Sequence, residues 1–410
     1  MNVACRHCGA HLHTSFCDLG MSPFANSYVE PDALAASEVF YPLHAYVCDE
    51  CLLVQLAEYE SPEFIFGDYA YFSSYSQSWL DHAKAYTEYT AERFAIGADK
   101  QVIELASNDG YLLQYFAQRG VKVLGIEPAA NVAKVAQERG IDTHVGFFGS
   151  DLARQLRERG IAADLLIGNN VLAHVPALND FVGGMQVLLA DSGLITMEFP
   201  HLLQLMQQNQ FDTIYHEHFS YFSFIVVQQV FAKHGLRIFD VDQLPTHGGS
   251  LRIFACHDGN AALPTGPRVA ALLADERAAG LGDLSGYRDY PQRVERTKRA
   301  LLTFLIDCKN QGKRVVAYGA PAKGNTLLNY AGVRTDLIDF TVDRSPYKQG
   351  RFLPGVRIPI LAPEAIREAK PDYVLILPWN LQTEIQSEMA YIGEWGGKFV
   401  VPIPELTVLG

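Results

Sequence analysis

The ten residues Gln101-Val102-Ile103-Glu104-Leu105-Ala106-Ser107-Asn108-Asp109-Gly110 decide the fold of this chain. The first five form a short apolar run that predicts a buried strand, and the last three predict a tight turn. Helical spacing follows over residues 111–119, and a second strand is predicted over residues 121–126. A strand, a turn, a helix and another strand in this order are typical of a parallel α/β sheet.

The same alternation continues towards the C-terminus. A helix is predicted over residues 131–139, and strands over residues 164–170 and 193–198. We therefore expect a doubly wound, Rossmann-like sheet within residues 69–258. A second α/β unit is expected within residues 259–410: a helical connector around 280–308, strands at 314–318, 340–343 and 373–377, a loop at 319–325 and a helix at 326–330.

Composition limits the possible functions. The chain has 410 residues, of which 49% are hydrophobic and 19% charged, so it is long enough for two or three domains with sizeable cores. Its formal net charge of −13 argues against nucleic acid as the main partner. The sequence starts without an apolar targeting segment, and its apolar runs are too short to span a bilayer. We expect a cytoplasmic protein with no membrane partner, monomeric or weakly dimeric.

Four of the seven cysteines form two Cys-x-x-Cys pairs, Cys5 with Cys8 and Cys48 with Cys51. In a protein of the cytoplasm, two such pairs predict a closed, structural tetrathiolate zinc site. A redox pair is the alternative, but it would need a βαβ setting that this segment does not show. We expect a zinc-binding module over residues 1–68. The other cysteines are expected in the core: Cys17, Cys256 and Cys308.

The segment Tyr215-His216-Glu217-His218-Phe219-Ser220-Tyr221 concentrates groups that can hold or transfer protons. A buried core has no use for so many titratable side chains, whereas a site that removes a proton from carbon needs a base with proton-handling groups around it. Glu217 could orient an imidazole. A metal site is one alternative, although the spacing is not the His-Glu-x-x-His of metalloproteases. A structural polar turn is the other.

The strand ends predict a cofactor site. The turn after the first strand has only Gly110, without the G-x-G-x-x-G pattern of dinucleotide loops, while Glu127 ends the second strand where it can accept from ribose hydroxyls. A nucleoside without phosphates fits, and S-adenosylmethionine is such a ligand. Phe147 and Phe148 could stack on adenine or belong to the core. The candidate cofactor residues are Glu104, Ala106, Asn108, Asp109, Gly110, Glu127, Pro128, Phe147, Phe148, Asn169 and Asn170.

Along essentially its whole length the chain resembles the sugar C-methyltransferases of deoxysugar biosynthesis, including members that methylate C-3′ of a dTDP-3-amino-4-keto sugar. Several motifs in a fixed order carry the resemblance: Cys5-Arg6-x-Cys8-Gly9 with Cys48-x-x-Cys51, Phe72-Ser73-Ser74-Tyr75-Ser76, Glu104-x-Ala106-x-Asn108-Asp109-Gly110, Gly168-Asn169-Asn170-Val171-x-Ala173-His174, Tyr215 to Tyr221, His247-Gly248-Gly249-Ser250-x-Arg252 and Gly319-Ala320-x-Ala322-Lys323-Gly324-Asn325.

The resemblance implies a zinc module, a central S-adenosylmethionine domain and a C-terminal α/β domain that helps to hold a nucleotide sugar. It also implies that a base deprotonates the carbon beside a 4-keto group and that the enolate attacks the methyl group. By matching position, His218 is the base, with Tyr215, Glu217, His174 and Tyr75 around it.

The loop over residues 319–325 precedes a helix and offers backbone N–H groups and a cation to a diphosphate, although an ordinary βα turn would look similar. The candidate substrate residues are His247, Arg252, Lys323, Asn325, Arg344 and Lys348. Three other functions stay open: an O- or N-methyltransferase, a zinc-containing binding protein without catalysis, and a nicotinamide dehydrogenase built on the C-terminal loop.

Overall fold

The computed structural model describes residues 3–67 and 72–409, so the predicted limit between residues 68 and 69 lies outside the described residues. The N-terminal segment forms three strands and two helices: β1 Thr14–Ser22, β2 Tyr41–Val47, β3 Val54–Leu56, α1 Pro62–Phe66 and α2 Gln77–Arg93. The side chain of Ser76 starts α2 by accepting from the backbone N–H of Trp79.

The central segment alternates strands and helices. Its elements are β4 Gln101–Leu105, α3 Leu113–Gln118, β5 Lys122–Glu127, α4 Ala130–Glu138, β6 Thr143–Val145, α5 Ser150–Glu158, β7 Ala163–Asn169, α6 Leu178–Leu188, β8 Leu189–Pro200, α7 Leu202–Gln207, β9 Ser220–Tyr221, α8 Phe224–Lys233, β10 Leu236–Leu244 and β11 Ser250–His257. Strand β4 has the predicted bounds because its apolar run is buried over four of its five residues.

The C-terminal segment begins with two helices and continues as a second α/β unit. Its elements are α9 Pro267–Ala278, α10 Tyr290–Asn310, β12 Val315–Tyr318, α11 Ala322–Ala331, β13 Thr341–Val342, β14 Ile360–Leu361, α12 Ala365–Ala369, β15 Tyr373–Ile376, α13 Gln382–Glu388, β16 Lys398–Val401 and β17 Thr407–Leu409. Much of the predicted loop at 319–325 is helical: Pro321 is the N-cap of α11, so Lys323 lies in the first turn.

Three sheets organise these elements. The central sheet has the order β10-β11-β8-β7-β4-β5-β6, and the C-terminal sheet has the order β14-β13-β12-β15-β16-β17. The expected parallel, Rossmann-like arrangement is present from β8 to β6, but β11 runs antiparallel to both of its neighbours. The reason is local, since β10 and β11 form a hairpin across the turn at Thr246–Gly248.

The N-terminal sheet has the order β1-β2-β3-β9, and its fourth strand comes from the segment that contains His218. Strand β3 pairs antiparallel with β9, joining Val54 to Tyr221. Helix α10 packs on the other part of this small sheet, where the ring of Tyr290 stacks on Phe16 at 4.7 Å between centroids. The described helices include none that is both long and apolar enough to cross a membrane.

Candidate active site

The four cysteines of the two Cys-x-x-Cys pairs come together. Their Sγ atoms all lie within 4.8 Å of one another, with Cys5 and Cys51 at 3.5 Å and Cys8 and Cys48 at 3.5 Å. Four thiolates at about 2.3 Å from a tetrahedral zinc would be about 3.8 Å apart, so the cluster fits this ion. The other three cysteines are buried core residues, as expected: Cys17, Cys256 and Cys308.

The loop after β4 has an unusual backbone. Ala106, Asn108 and Gly110 have φ angles of 55°, 50° and 76°, in the left-handed region that Ala rarely adopts. Such conformations persist where the surrounding structure holds a loop for a ligand. Asn170, at the end of β7, has a φ of 53° and lies at the same edge of the sheet.

The acidic side chains at this loop already form hydrogen bonds or ion pairs within the protein. Glu127 accepts from the backbone N–H of Asn108 and of Ala129, each at 2.9 Å, and burial raises the pKa of its carboxyl. Asp109 is fully buried; its Oδ2 pairs with Arg139 at 3.1 Å and accepts from the hydroxyl of Ser74.

Several buried acceptor atoms of the described residues in this region lack a hydrogen-bond partner. Among the described residues, Oε2 of Glu104 and Oδ1 of Asp109 are buried without a hydrogen bond. Burial raises the pKa of Glu104 well above its ordinary value. Unsatisfied buried acceptors beside a strained loop fit a polar ligand such as the amino-acid end of S-adenosylmethionine. The residues that would hold it are the strand-end residues Glu104, Asp109 and Glu127.

The other predicted cofactor residues divide into two groups. Asn169 is buried at the end of β7, and Pro128 directly follows Glu127. Phe148 packs edge-on against Phe181 at 5.4 Å and belongs to the core, whereas Phe147 is 43% exposed. Of the two phenylalanines, only Phe147 is therefore free to turn towards an adenine.

His218 lies between two rings. Its ring centroid is 4.0 Å from that of Tyr215 and 4.7 Å from that of His174, and its Nδ1 is 2.9 Å from the carbonyl oxygen of Thr213. Because a carbonyl oxygen can only accept, Nδ1 donates, and the neutral ring then has its lone pair on Nε2. Burial lowers the pKa of His218 well below its ordinary value, and His174 lowers it further. The ring is therefore neutral at pH 7.

The neighbours of His218 have different surroundings. Burial lowers the pKa of His174 to about 4, against a hydrogen bond with the backbone of Glu217 that raises it. The carboxylate of Glu217 instead accepts from Nδ2 of Asn26 at 2.7 Å, and burial raises its pKa to about 7. The side chain of Glu217 thus contacts the N-terminal segment, and its backbone rather than its carboxylate meets an imidazole.

One predicted member of the cluster, Tyr75, and the neighbouring His216 lie apart from His218. The ring of His216 packs beside Phe24 and Tyr41, on the N-terminal side. Tyr75 is 83% exposed and stacks on Phe72 at 5.4 Å, so the structure does not bring its ring to His218. Its chain segment nevertheless covers the cofactor loop.

His247 and Arg252 belong to one polar network. Nε2 of His247 lies 2.9 Å from Nδ2 of Asn170, and its ring is 5.2 Å from that of Trp79. Arg252 is buried and pairs with Glu198 at 2.7 Å, so it is engaged inside the sheet rather than open to a substrate. Glu198 also accepts from the hydroxyl of Thr246 at 2.9 Å. Arg252 and Glu198 therefore support the turn that carries His247.

Lys323 borders this region from the C-terminal unit, and the space between His218, His247 and Lys323 is called the cleft below. Its Nζ donates to Oδ1 of Asn380 at 2.9 Å and lies 4.4 Å from the ring centroid of Trp379. Nε1 of Trp379 donates to Oδ2 of the buried Asp212 at 2.7 Å. Burial raises the pKa of Asp212 to about 6 and lowers that of Lys323. Lys323 also lowers the pKa values of His218 and His247.

The remaining substrate candidates lie elsewhere. Asn325 is buried and donates to the carbonyl oxygen of Ala25 at 2.7 Å. Arg344 is exposed and pairs with Glu388 at 2.7 Å. Lys348 donates to the carbonyl oxygen of Ala320 at 3.0 Å. Of these three, only Lys348 lies beside the loop that precedes α11.

Sequence reasoning did not find several residues that build the cleft: Trp79, Tyr111, Asp212, Thr213 and Trp379. Tyr111 and Trp79 have centroids 6.1 Å apart beside the cofactor loop. Four of them could have been suspected, because Trp79, Tyr111, Asp212 and Thr213 stand within a few residues of quoted motifs. Trp379 is far from every motif along the chain.

Comparisons with known proteins agree with this geometry. Residues 5–66 match a family described as a zinc binding domain, residues 78–241 a methyltransferase domain, and residues 245–404 a C-methyltransferase C-terminal domain. These matches define the class of the protein: a zinc-binding methyltransferase that uses S-adenosylmethionine. The chain is 37% identical over 405 residues to the C-methyltransferase NovU of Streptomyces niveus, covering 99% of this chain and 96% of NovU. It belongs to this family of C-methyltransferases.

Membership of this family removes the three alternatives left open by the sequence, which were heteroatom methylation, binding without catalysis and dehydrogenation.

Solved structures of other methyltransferases and related proteins match only part of this chain. Magnesium protoporphyrin IX methyltransferase of Synechocystis PCC 6803, solved with bound SAH, is 16% identical with a TM-score of 0.35, covering 43% of this chain and 83% of its own. The protein PH0226 of Pyrococcus horikoshii OT3 is 15% identical with a TM-score of 0.38, covering 48% and 99%.

Proposed function

We propose that the acceptor is the carbon beside the ketone of a nucleotide-linked 4-keto-deoxysugar, carried on dTDP or another nucleoside diphosphate, and that His218 removes its proton. The observation that carries this proposal is the arrangement of His218, whose Nδ1 is fixed by the carbonyl oxygen of Thr213 and whose Nε2 keeps its lone pair. The resemblance to sugar C-methyltransferases supplies the class of acceptor.

The chemistry assigns a task to each group of the cleft. S-adenosylmethionine supplies an activated methyl group when bound. Nε2 of His218 accepts the proton from carbon, and the electron pair of the broken C–H bond moves towards the ketone oxygen as an enolate. The Thr213 carbonyl stabilises the imidazolium through Nδ1. Tyr215 and His174 lie against the base, and His247 and Lys323 add donors near the enolate.

The proposal extends to the organisation of the protein. We place the zinc module at residues 1–68, the methyltransferase domain at 69–258 and the C-terminal domain at 259–410. The last strand of the central sheet, β11, ends at His257, which supports the second limit. We further propose a cytoplasmic protein without nucleic-acid or membrane partners, monomeric or weakly dimeric. We also propose Tyr75 as an assisting residue, because a movement of its chain segment would bring its ring over the cofactor.

The test replaces the proposed catalytic base, His218. His218→Asn is expected to lower kcat by about 10²–10⁴ because a general base is lost, with unchanged affinity for S-adenosylmethionine by calorimetry. It should also abolish solvent deuterium exchange at the carbon beside the ketone when the demethylated cofactor product replaces the donor. His216→Asn is the matched control, since His216 faces the N-terminal segment two residues away.

Several outcomes would redirect or reject the proposal. If exchange persists in His218→Asn but disappears in Tyr215→Phe or His174→Asn, that residue is the base. If none of these variants changes the exchange, or if mass spectrometry of products from a panel of NDP-4-keto sugars shows no methylation, the sugar proposal fails.

A further inference from the structure

A cavity of about 450 Å³ lies between the central sheet and the C-terminal unit, with Gly248 and Trp379 in its walls. Its volume is in the range of small-molecule sites, about 300–1,000 Å³. Five of its lining residues are glutamines, and no Lys, Arg, Asp or Glu is among the described residues around it. The members used below are Gln204, Gln208, Gln243, Trp379 and Pro404.

The amides of this cavity are available to a ligand. Gln204 is half-buried, and Gln208 and Gln243 are exposed, so all three amides can be reached by a ligand from solvent. By contrast, Nε2 of Gln210 donates to the carbonyl oxygen of Gly248 at 2.7 Å and fixes the wall. Each of the three amides offers one acceptor and two donors in a plane. Neutral planar donors and acceptors match a nucleobase edge and not a phosphate.

Two glycines leave the space open. Gly248 and Gly249 have φ angles of 91° and 119°, and both line the cavity. A Cβ at Gly248 would lie 2.7 Å from the ring of Trp379, and one at Gly249 would lie 2.6 Å from Cγ of Gln204. A side chain at either position would therefore collide with a wall of the cavity.

The cavity adjoins the proposed phosphate contact. Trp379 lines it, and Nζ of Lys323 lies 4.4 Å from the centroid of the same ring. Along the cleft, His218 offers a base and Lys323 offers a cation. The amide-lined cavity lies beside Trp379. This order corresponds to the sugar, the diphosphate and the nucleobase of one substrate.

We propose that this cavity binds the nucleobase of the nucleotide sugar, with Gln204 and Gln243 as specificity-determining residues. The inference rests on the proposed function for the identity of the substrate. Trp379 and Pro404 supply flat apolar walls for the nucleobase, and the glutamine amides form hydrogen bonds with its polar edge. A bound base that covers these amides without pairing them is disfavoured, because it removes them from water and gives no hydrogen bond in return.

The experiment measures the affinities of dTDP, UDP and GDP for the full-length protein by calorimetry. Gln204→Met and Gln243→Met keep the length of the side chain and remove the amide. Each is expected to raise the Kd of the preferred nucleotide about 5- to 30-fold, to reduce the preference among bases, and to leave affinity for S-adenosylmethionine unchanged. Gln207→Met is the matched control, since Gln207 is exposed on the same helix α7 and does not line the cavity.

The outcomes separate this inference from the proposed function. If the wild type binds a nucleoside diphosphate but Gln204→Met and Gln243→Met keep its affinity and base preference, the inference is overturned and the proposed function stands. An equal loss in Gln207→Met also overturns it. If the wild type binds none of the three nucleotides and methylates no NDP-sugar, the inference and the proposed function are both wrong.

Discussion

The zinc module, meaning the four-cysteine cluster with β1 to β3, and the C-terminal unit, meaning β12 to β17 with α11 to α13, border the same cleft in different ways. The module holds the segment of His218 by that segment's backbone: β3 pairs with β9, and the guanidinium of Arg6 donates to the carbonyl oxygen of Phe219 and, within the module, to that of Leu56. The C-terminal unit reaches the cleft with side chains, chiefly Lys323 and Trp379. The first arrangement suits positioning of a base, and the second suits recognition of a substrate.

The largest expected effect comes from breaking the module. Cys48→Ser should reduce the zinc content from about one ion per chain to nearly none, because one of four ligands is lost. Structural zinc contributes on the order of 10 kcal/mol to small modules, so we expect a large fall in Tm. Since β9 loses its partner, kcat should fall at least about 10²-fold. Elemental analysis, thermal unfolding and turnover measure the three effects.

The control for this variant is Cys308→Ser, which removes a buried thiol far from the cluster. It should retain the zinc. A metal-free Cys48→Ser protein with wild-type Tm and kcat would show that the module does not position the base.

A smaller effect is expected at the contact between the module and Glu217. Burial raises the pKa of Glu217 to about 7, whereas an unfolded glutamate titrates near 4.5. The stability contributed by the protonated carboxyl is therefore complete below pH 4.5 and is lost as the pH rises through 7. Glu217→Gln cannot ionise and keeps an acceptor for Asn26. Relative to wild type, it should gain roughly 3 kcal/mol between pH 4.5 and pH 8.5 in urea unfolding.

Glu58→Gln serves as the comparison, because Glu58 is exposed in the same region of the chain. The pH-dependent gain of Glu217→Gln is measured against this variant. A Glu217→Gln protein whose stability follows the wild type at both pH values would mean that the carboxyl ionises without cost.

The smallest effect is expected from the C-terminal unit. Lys323→Met should raise KM for the nucleotide sugar about 10-fold, roughly 1.4 kcal/mol, through loss of one charge-assisted contact with the diphosphate. Affinity for S-adenosylmethionine should not change. Lys298→Met is matched, since Nζ of Lys298 also lies over a ring, that of Tyr330 at 4.5 Å, away from the cleft. Equal KM values in the wild type, Lys323→Met and Lys298→Met would show that Lys323 does not contact the diphosphate.

Local pattern was enough to predict much of the fold. The bounds of β4 follow from its apolar run, and the four-cysteine cluster follows from two short spacings. Sequence did not predict that β11 runs antiparallel, because the alternation of a hairpin strand does not reveal its neighbours. It also placed the start of α11 too late, since Gly319 and Pro321 look like a loop although Pro321 is the N-cap of the helix.

The candidate site was visible only where its residues are neighbours in the chain. Tyr215 and His218 stand three positions apart, whereas Trp379 and Asp212 bond across 167 positions. Nothing in a single sequence predicts such a pairing, because it depends on how two sheets pack. For the same reason Arg252 looked available to a substrate, although Glu198 occupies its guanidinium inside the sheet.

The pairing of β3 with β9 also limits how relatives of this protein can be recombined. A chimaera that joins the first 67 residues of one enzyme to the rest of another must preserve the register of Val54 on Tyr221 and of Gln55 on Ser220. It must also preserve the bond from Asn26 to Glu217. Exchange of the first 67 residues together with residues 213–221 keeps these contacts within one parent, so such paired exchanges should yield folded hybrids more often than single crossovers.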